Sequence, residues 1–89
     1  MALIPIAPVS VSVRCDLFDG RPRSIRMGTE RVPVKHVARV RQEAAAYPQA
    51  MGPRTLFEVD TPNARLALAF HHRSRRWSVE AMDPEVHTA

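Results

Sequence analysis

Val9-Ser10-Val11-Ser12-Val13-Arg14-Cys15-Asp16 alternates apolar and polar residues without a break. A period of two puts Val9, Val11, Val13 and Cys15 on one face of an extended strand and Ser10, Ser12, Arg14 and Asp16 on the other. A helix would scatter both sets around its axis, so this stretch is a half-buried β-strand. Asp19-Gly20 follows as a turn, because glycine tolerates positive φ.

The same period recurs along the chain. Arg21 to Met27 turns Ile25 and Met27 inward, and Gly28-Thr29 reverses the direction. Arg31 to Lys35 places Val32 and Val34 on one face. Pro33 removes a ladder donor there, which suits an edge or bulged strand. After the middle of the chain, Arg54 to Asp60 puts Thr55, Phe57 and Val59 together, and Thr61-Pro62-Asn63 turns. Leu66, Leu68 and Phe70 then face in while Arg65 and His71 face out. After a turn over His72 to Arg75, Trp77, Val79 and Ala81 face in.

Between these meanders the period loosens. Val37, Val40 and Ala44 keep helical spacing, and residues 39–46 are good helix formers. Pro48 would end such a helix at about Tyr47. Residues 49–53, with Gly52 and Pro53, read as a loop. The expected fold is mainly β, with about six antiparallel strands in two meanders. They form a small barrel or strongly bent sheet, with one short helix as the reading of the ambiguous middle. The expected domain runs over 9–82, between a flexible segment 1–8 and a frayed tail 83–89. Val11, Val13, Ile25, Val34, Phe57, Leu66, Leu68, Phe70, Trp77 and Val79 are expected in one buried cluster. Three or more of them exposed in a monomer would mean that the faces are misassigned or that the exposed set is an interface.

Eighty-nine residues support one core and leave little room for a buried active site besides. The lone Cys15 excludes an internal disulfide, which a secreted domain of this size would ordinarily need. The apolar start is interrupted by Pro5 and Pro8 and lacks a basic leader region. A cytoplasmic location and no membrane partner are therefore expected.

Val11-Ser12-Val13-Arg14-Cys15-Asp16, Gly20-Arg21-Pro22, the run Val32 to Val40, Phe57-Glu58-Val59 and Arg76-Trp77 occur in an order that resembles a small uncharacterised bacterial family. The resemblance covers roughly Val9 to Asp83. Members of that family resemble the C-terminal β-domain of Y-family polymerase-like proteins of mutagenic-repair cassettes. The resemblance implies a setting in DNA repair or translesion synthesis, and no functional residues. Members carry tryptophans in the middle segment, where this chain has Ala44-Ala45-Ala46-Tyr47, so a partner surface there would be lost or altered.

No catalytic constellation is visible. Acyl or phosphoryl chemistry needs a nucleophile, a base and an orienting group, or a glycine-rich phosphate cradle. Cys15 lies on the apolar face of its strand and reads as core filling. His71 and His72 are adjacent, so on a strand they point apart and cannot share a metal; they read as solvated turn residues. Neither metal nor cofactor is expected, and the chain is not expected to be an enzyme.

The arginines are the better lead. Twelve of the thirteen basic residues are arginine, which forks onto phosphate and stacks on bases. A GC-rich genome would produce the same bias, and the frequent alanines, without any function. Matching the apolar faces leaves Arg14 opposite or diagonal to Arg26. Arg21 and Arg23 lie toward the same end, and Arg73, Arg75 and Arg76 form a second cluster. These seven are the candidate nucleic-acid-binding residues. Alternation also places Asp16 beside Arg14 and Glu80 beside Arg76, where they would pair as ordinary solvated charges. Phe57, Phe70 and Trp77 all face inward, which leaves the arginines without an aromatic platform. Two functions are consistent with this pattern: an accessory module that binds a protein partner through its sheet, with an auxiliary basic surface, or a stand-alone nucleic-acid-binding barrel.

Overall fold

The computed structural model describes residues 3–43 and 52–83. They form seven strands: β1 (Ile4–Cys15), β2 (Pro22–Met27), β3 (Glu30–Pro33), β4 (His36–Glu43), β5 (Arg54–Asp60), β6 (Arg65–His71) and β7 (Arg76–Asp83). All neighbours are antiparallel, in one sheet of order β3-β2-β1-β7-β6-β5-β4. The sheet curls strongly into a half-barrel, so the expected β architecture holds, with seven strands rather than about six.

The added strand is β4. Its helical spacing was set by Val37 and Val40, yet both are ladder residues, opposite Val59 and Phe57. Ala38 is the extra residue of a bulge between the Val37 and Arg39 pairs. A bulge shifts the period by one residue, which makes a strand imitate helical spacing. The part of the expected helix beyond Glu43 lies outside the described residues.

β1 also begins earlier than its alternation, at Ile4, and pairs with β7 there (Ile4 opposite Met82, Pro5 opposite Ala81). The register slips between Pro5 and Val9, and β2 joins β1 only from Ser12 onward. Pro5 and Pro8 thus occupy a stretch with a free side, where a missing N–H breaks no ladder.

The meanders meet where β3 runs into β4 through Val34 and Lys35. The Val34 N–H donates to Arg23 O (2.8 Å) and the Lys35 N–H to Asp60 O (2.7 Å). Two adjacent residues therefore hand the chain from a β2 partner to a β5 partner. The sheet's two edge strands are joined end to end at that corner.

One face of the curl holds the core: Ile25, Val59, Leu66, Leu68 and Val79, with Val11, Val13, Val34, Phe57 and Trp77 packed against it. Trp77 lies between the Phe57 and Phe70 rings, at centroid distances of 5.5 and 4.9 Å. None of the ten expected core residues is exposed. Each fully buried aliphatic side chain contributes about 1.5–3 kcal/mol.

The second face carries Arg54, Leu56 and Glu58 of β5, Ala67, Ala69 and His71 of β6, and Ser78 of β7. Ala67 and Ala69 are buried here too, with the longer Glu58 and Leu56 of β5 opposite them. Ala81 belongs to this face rather than the core. It stands opposite Ala67, while Leu68 pairs with Val79, so Glu80 is the extra residue of a bulge in β7. Met82 takes the inward place instead.

Candidate functional site

The second face contains a row of residues in register across the sheet. Arg31 of β3 stands opposite Arg26 of β2, and Arg26 opposite Ser12 of β1. Val11 pairs with Trp77, so one step along the same register places Ser12 across from Arg76. Arg76 is opposite His71, His71 opposite Arg54, and Arg54 opposite Glu43. Arg14 lies on the same face, opposite Ser24 and diagonal to Arg26. Cross-strand neighbours on one face have Cβ atoms roughly 5 Å apart and diagonal ones somewhat more, so these charges act together.

The halves of this face differ in charge balance. Over β4 to β6 every arginine is answered. Arg54 reaches Glu43 (2.9 Å) and Glu80, Arg41 reaches Glu43 (3.1 Å), and Arg39 approaches Glu58 (3.8 Å). Arg65 binds Asp60 with two nitrogens (2.6 and 3.2 Å), and that carboxylate raises its pKa. Over β1 to β3 and the start of β7 nothing answers. Arg14, Arg26, Arg31 and Arg76 are exposed, and no carboxylate among the described residues lies within 4.0 Å of them. Arg14, Arg26 and Arg31 line a shallow depression of about 330 Å³ with the hydroxyls of Ser12 and Ser24.

The partners expected for two of these arginines are engaged elsewhere. Asp16 pairs with Arg23 (2.8 Å) rather than Arg14. Glu80 bonds Arg54, His71 (3.3 Å) and Ser78 (3.2 Å) rather than Arg76. The bulge at Glu80 turns its carboxylate toward β6 and β5, a displacement that alternation counting misses. Of the seven candidates, Arg14, Arg26 and Arg76 come together. Arg31 joins them unforeseen, since Pro33 drew attention to the strand's edge rather than its face. Arg21 sits in the β1–β2 turn and Arg23 at the start of β2, and Arg73 and Arg75 lie in the β6–β7 turn. Arg75 has φ 57°, a left-handed conformation that favours glycine and costs a branched or long residue about 1 kcal/mol or more.

The β1–β2 turn is tightly tied. Asp16 Oδ1 accepts from the Phe18 N–H (2.7 Å) and the Asp19 N–H (3.3 Å), and Asp19 Oδ1 accepts from the Arg21 N–H (2.9 Å). Backbone bonds run from Asp16 N–H to Arg21 O and from Gly20 N–H to Asp16 O. The amides of Phe18 and Asp19 and the Arg23 guanidinium hold the Asp16 carboxyl below its usual range. This turn presents Leu17 and Phe18, which are 98% and 100% exposed. Contrary to expectation, an exposed aromatic side chain therefore exists, on the turn that follows the Arg14 end of β1. It lies on a turn, where strand alternation does not apply.

The histidines do point apart, but they are not solvated turn residues of one kind. His72 Nε2 meets Thr55 Oγ1 (2.7 Å) and packs edge-on against Phe70. The His71 side chain, only 13% exposed, contacts Glu80 and Ser78 (3.2 Å) through Nε2, while its Nδ1 is buried with no hydrogen-bond partner among the described residues. Cys15 is half-buried, and burial, with Asp19 adding to it, raises its thiol pKa. No group of three or more potential ligands that could hold a metal occurs among the described residues. No helix among them is long and apolar enough to cross a membrane. Comparison with known proteins returns no match among family models, curated proteins or solved structures.

Proposed function

We propose that this chain is a non-catalytic nucleic-acid-binding module that holds a phosphate backbone against the arginine-bearing half of its second face. The observation that carries this reading is the charge imbalance. Arg14, Arg26, Arg31 and Arg76 share one exposed face with no carboxylate partner among the described residues, while the arginines of β4 to β6 are all paired. Like charges opposite each other cost a sheet a few tenths to about 1 kcal/mol, and an anion laid across them offsets that cost. Arginine and serine on an exposed sheet face make phosphate contacts, which bind without reading sequence. Four such contacts give a log–log salt slope of about −3. Fluorescence anisotropy with labelled oligonucleotides tests the reading. Binding should weaken steeply with salt, and Arg14→Glu with Arg26→Glu should abolish it. Undetectable binding at low salt, or retention unchanged by the double reversal, overturns it.

A second reading keeps the chain as an accessory module that binds a protein partner through its sheet, in the repair setting that the family resemblance implies. It is favoured by β4, an eight-residue edge strand whose outer side pairs with no other strand among the described residues. Such an edge can accept a strand from another chain. Genomic neighbourhood tests it. Adjacency to polymerase-like or recombinase-like repair genes supports it, and housekeeping neighbours across many genomes count against it.

A further inference from the structure

We infer that the nucleic acid taken by this module is single-stranded, and that Phe18 stacks on one of its bases; the inference rests on the reading above. Three observations meet at the β1–β2 turn. Phe18 is wholly exposed and Leu17 nearly so, whereas the other exposed aliphatics, Ile4, Val9 and Val40, are 57%, 47% and 43% exposed. The backbone of the turn is pinned by bonds to Asp16 and Asp19, and the Phe18 ring stands out from it fully exposed. And the turn continues into the uncompensated face: Arg14, two residues before Asp16, is diagonal to Arg26, which is opposite Arg31.

A rigid exposed ring needs a partner to cover it, and preorganisation lowers the entropy lost when that partner arrives. Arg21 stands in the turn itself and Arg23 beside it, bonded to Asp16, and Arg14, Arg26 and Arg31 continue away from it along the sheet face. A strand of nucleic acid can follow that line, whereas a flat bilayer would meet only the tip. Asp16 and Asp19 lie at the base of the turn, with oxygens engaged by the turn's own amides and by Arg23. That leaves the face of the Phe18 ring without a competing partner. A duplex keeps its bases stacked on each other and can meet only the arginines. A single strand offers both a phosphate backbone for Arg14, Arg26 and Arg31 and an unstacked base for Phe18.

The test compares labelled oligothymidine with a duplex of equal length, at low salt, using the full chain with Phe18→Ala and Phe18→Trp. Phe18 touches nothing, so thermal melting should match the parent in both variants. Stacking on an aromatic corresponds to about tenfold or more in affinity. Phe18→Ala should therefore lose about tenfold on oligothymidine and leave duplex binding within about twofold, and Phe18→Trp should restore binding with base-dependent quenching of its emission. Equal loss on both nucleic acids, or no loss on either, overturns this inference and leaves the arginine reading standing. Absence of binding to any nucleic acid removes both. Tighter, Phe18-dependent binding to phosphatidylserine vesicles overturns it in favour of a membrane surface.

Discussion

Arg26 and Arg31 stand directly opposite each other on β2 and β3, both exposed and with no carboxylate within reach among the described residues. The isolated protein carries this repulsion as a cost. Arg31→Thr should raise stability by a few tenths to about 1 kcal/mol, which corresponds to a melting increase of up to about 8 °C for a domain of this size. The gain should shrink as salt screens the pair. The same variant should bind nucleic acid more weakly. Melting curves at low and high salt check the first half, and anisotropy the second.

Arg75 makes the same point through the backbone. Its φ of 57° suits glycine, so Arg75→Gly should stabilise the β6–β7 turn by about 1 kcal/mol, read from urea denaturation. An unchanged or lower midpoint would mean that the side chain contributes more than the strain costs.

Glu80 is the hub of the polar network over the alanine floor, bonded to Arg54, His71 and Ser78. Glu80→Ala leaves His71 and part of the Arg54 guanidinium short of acceptors in a largely buried setting. It should cost about 1–3 kcal/mol. Glu58→Ala should cost less than about 1 kcal/mol, because Arg39 is mostly exposed and its ion pair is long. Parallel urea titrations separate the two.

Asp16 ties the turn to pH. Its carboxyl is held below the ordinary aspartate range in the folded chain, first by the Phe18 amide. A depressed folded pKa contributes stability that is present above the unfolded value and lost as pH falls through the folded one. The parent should therefore lose stability below about pH 4, and Asp16→Asn should show a shallower decline over that window. Parallel acid titrations by circular dichroism would show it; superimposable curves would remove Asp16 from the account.

Most of the architecture was legible because most strands alternate cleanly. β5 and β6 run over the residues that their patterns mark, and Pro33 does sit on an edge strand. The readings that failed did so at bulges. Ala38 disguised β4 as a helix, and Glu80 swapped Ala81 for Met82 in the core and took the carboxylate away from Arg76. A bulge depends on partner strands, so a single-strand pattern carries no sign of it. The candidate surface was half legible. The diagonal placement of Arg14 and Arg26 follows from matching apolar faces, but Arg31 needed the β2–β3 register. Phe18 was in plain view in the sequence. Strand alternation says nothing of it, because a turn residue has no strand face.

The pairing of β1 with β7 sets how this chain must fold. Ile4 finds Met82 and Val9 finds Val79, so the middle of the sheet is assembled from opposite ends of the described chain. Each meander can form from local hairpins, yet Ile25 of the first is buried among Val59, Leu66, Leu68 and Val79 of the second, with Val11, Val13 and Val34 packed against them. Neither has a complete hydrophobic interior alone. The large loop closure has to be paid before that interior rewards it, which places the chain among slow, high-contact-order folders on the millisecond-to-second scale. On the ribosome, the β1–β7 ladder cannot close until β7 has cleared the exit tunnel, and until then the β1 edge awaiting β7 is open to pairing with other chains.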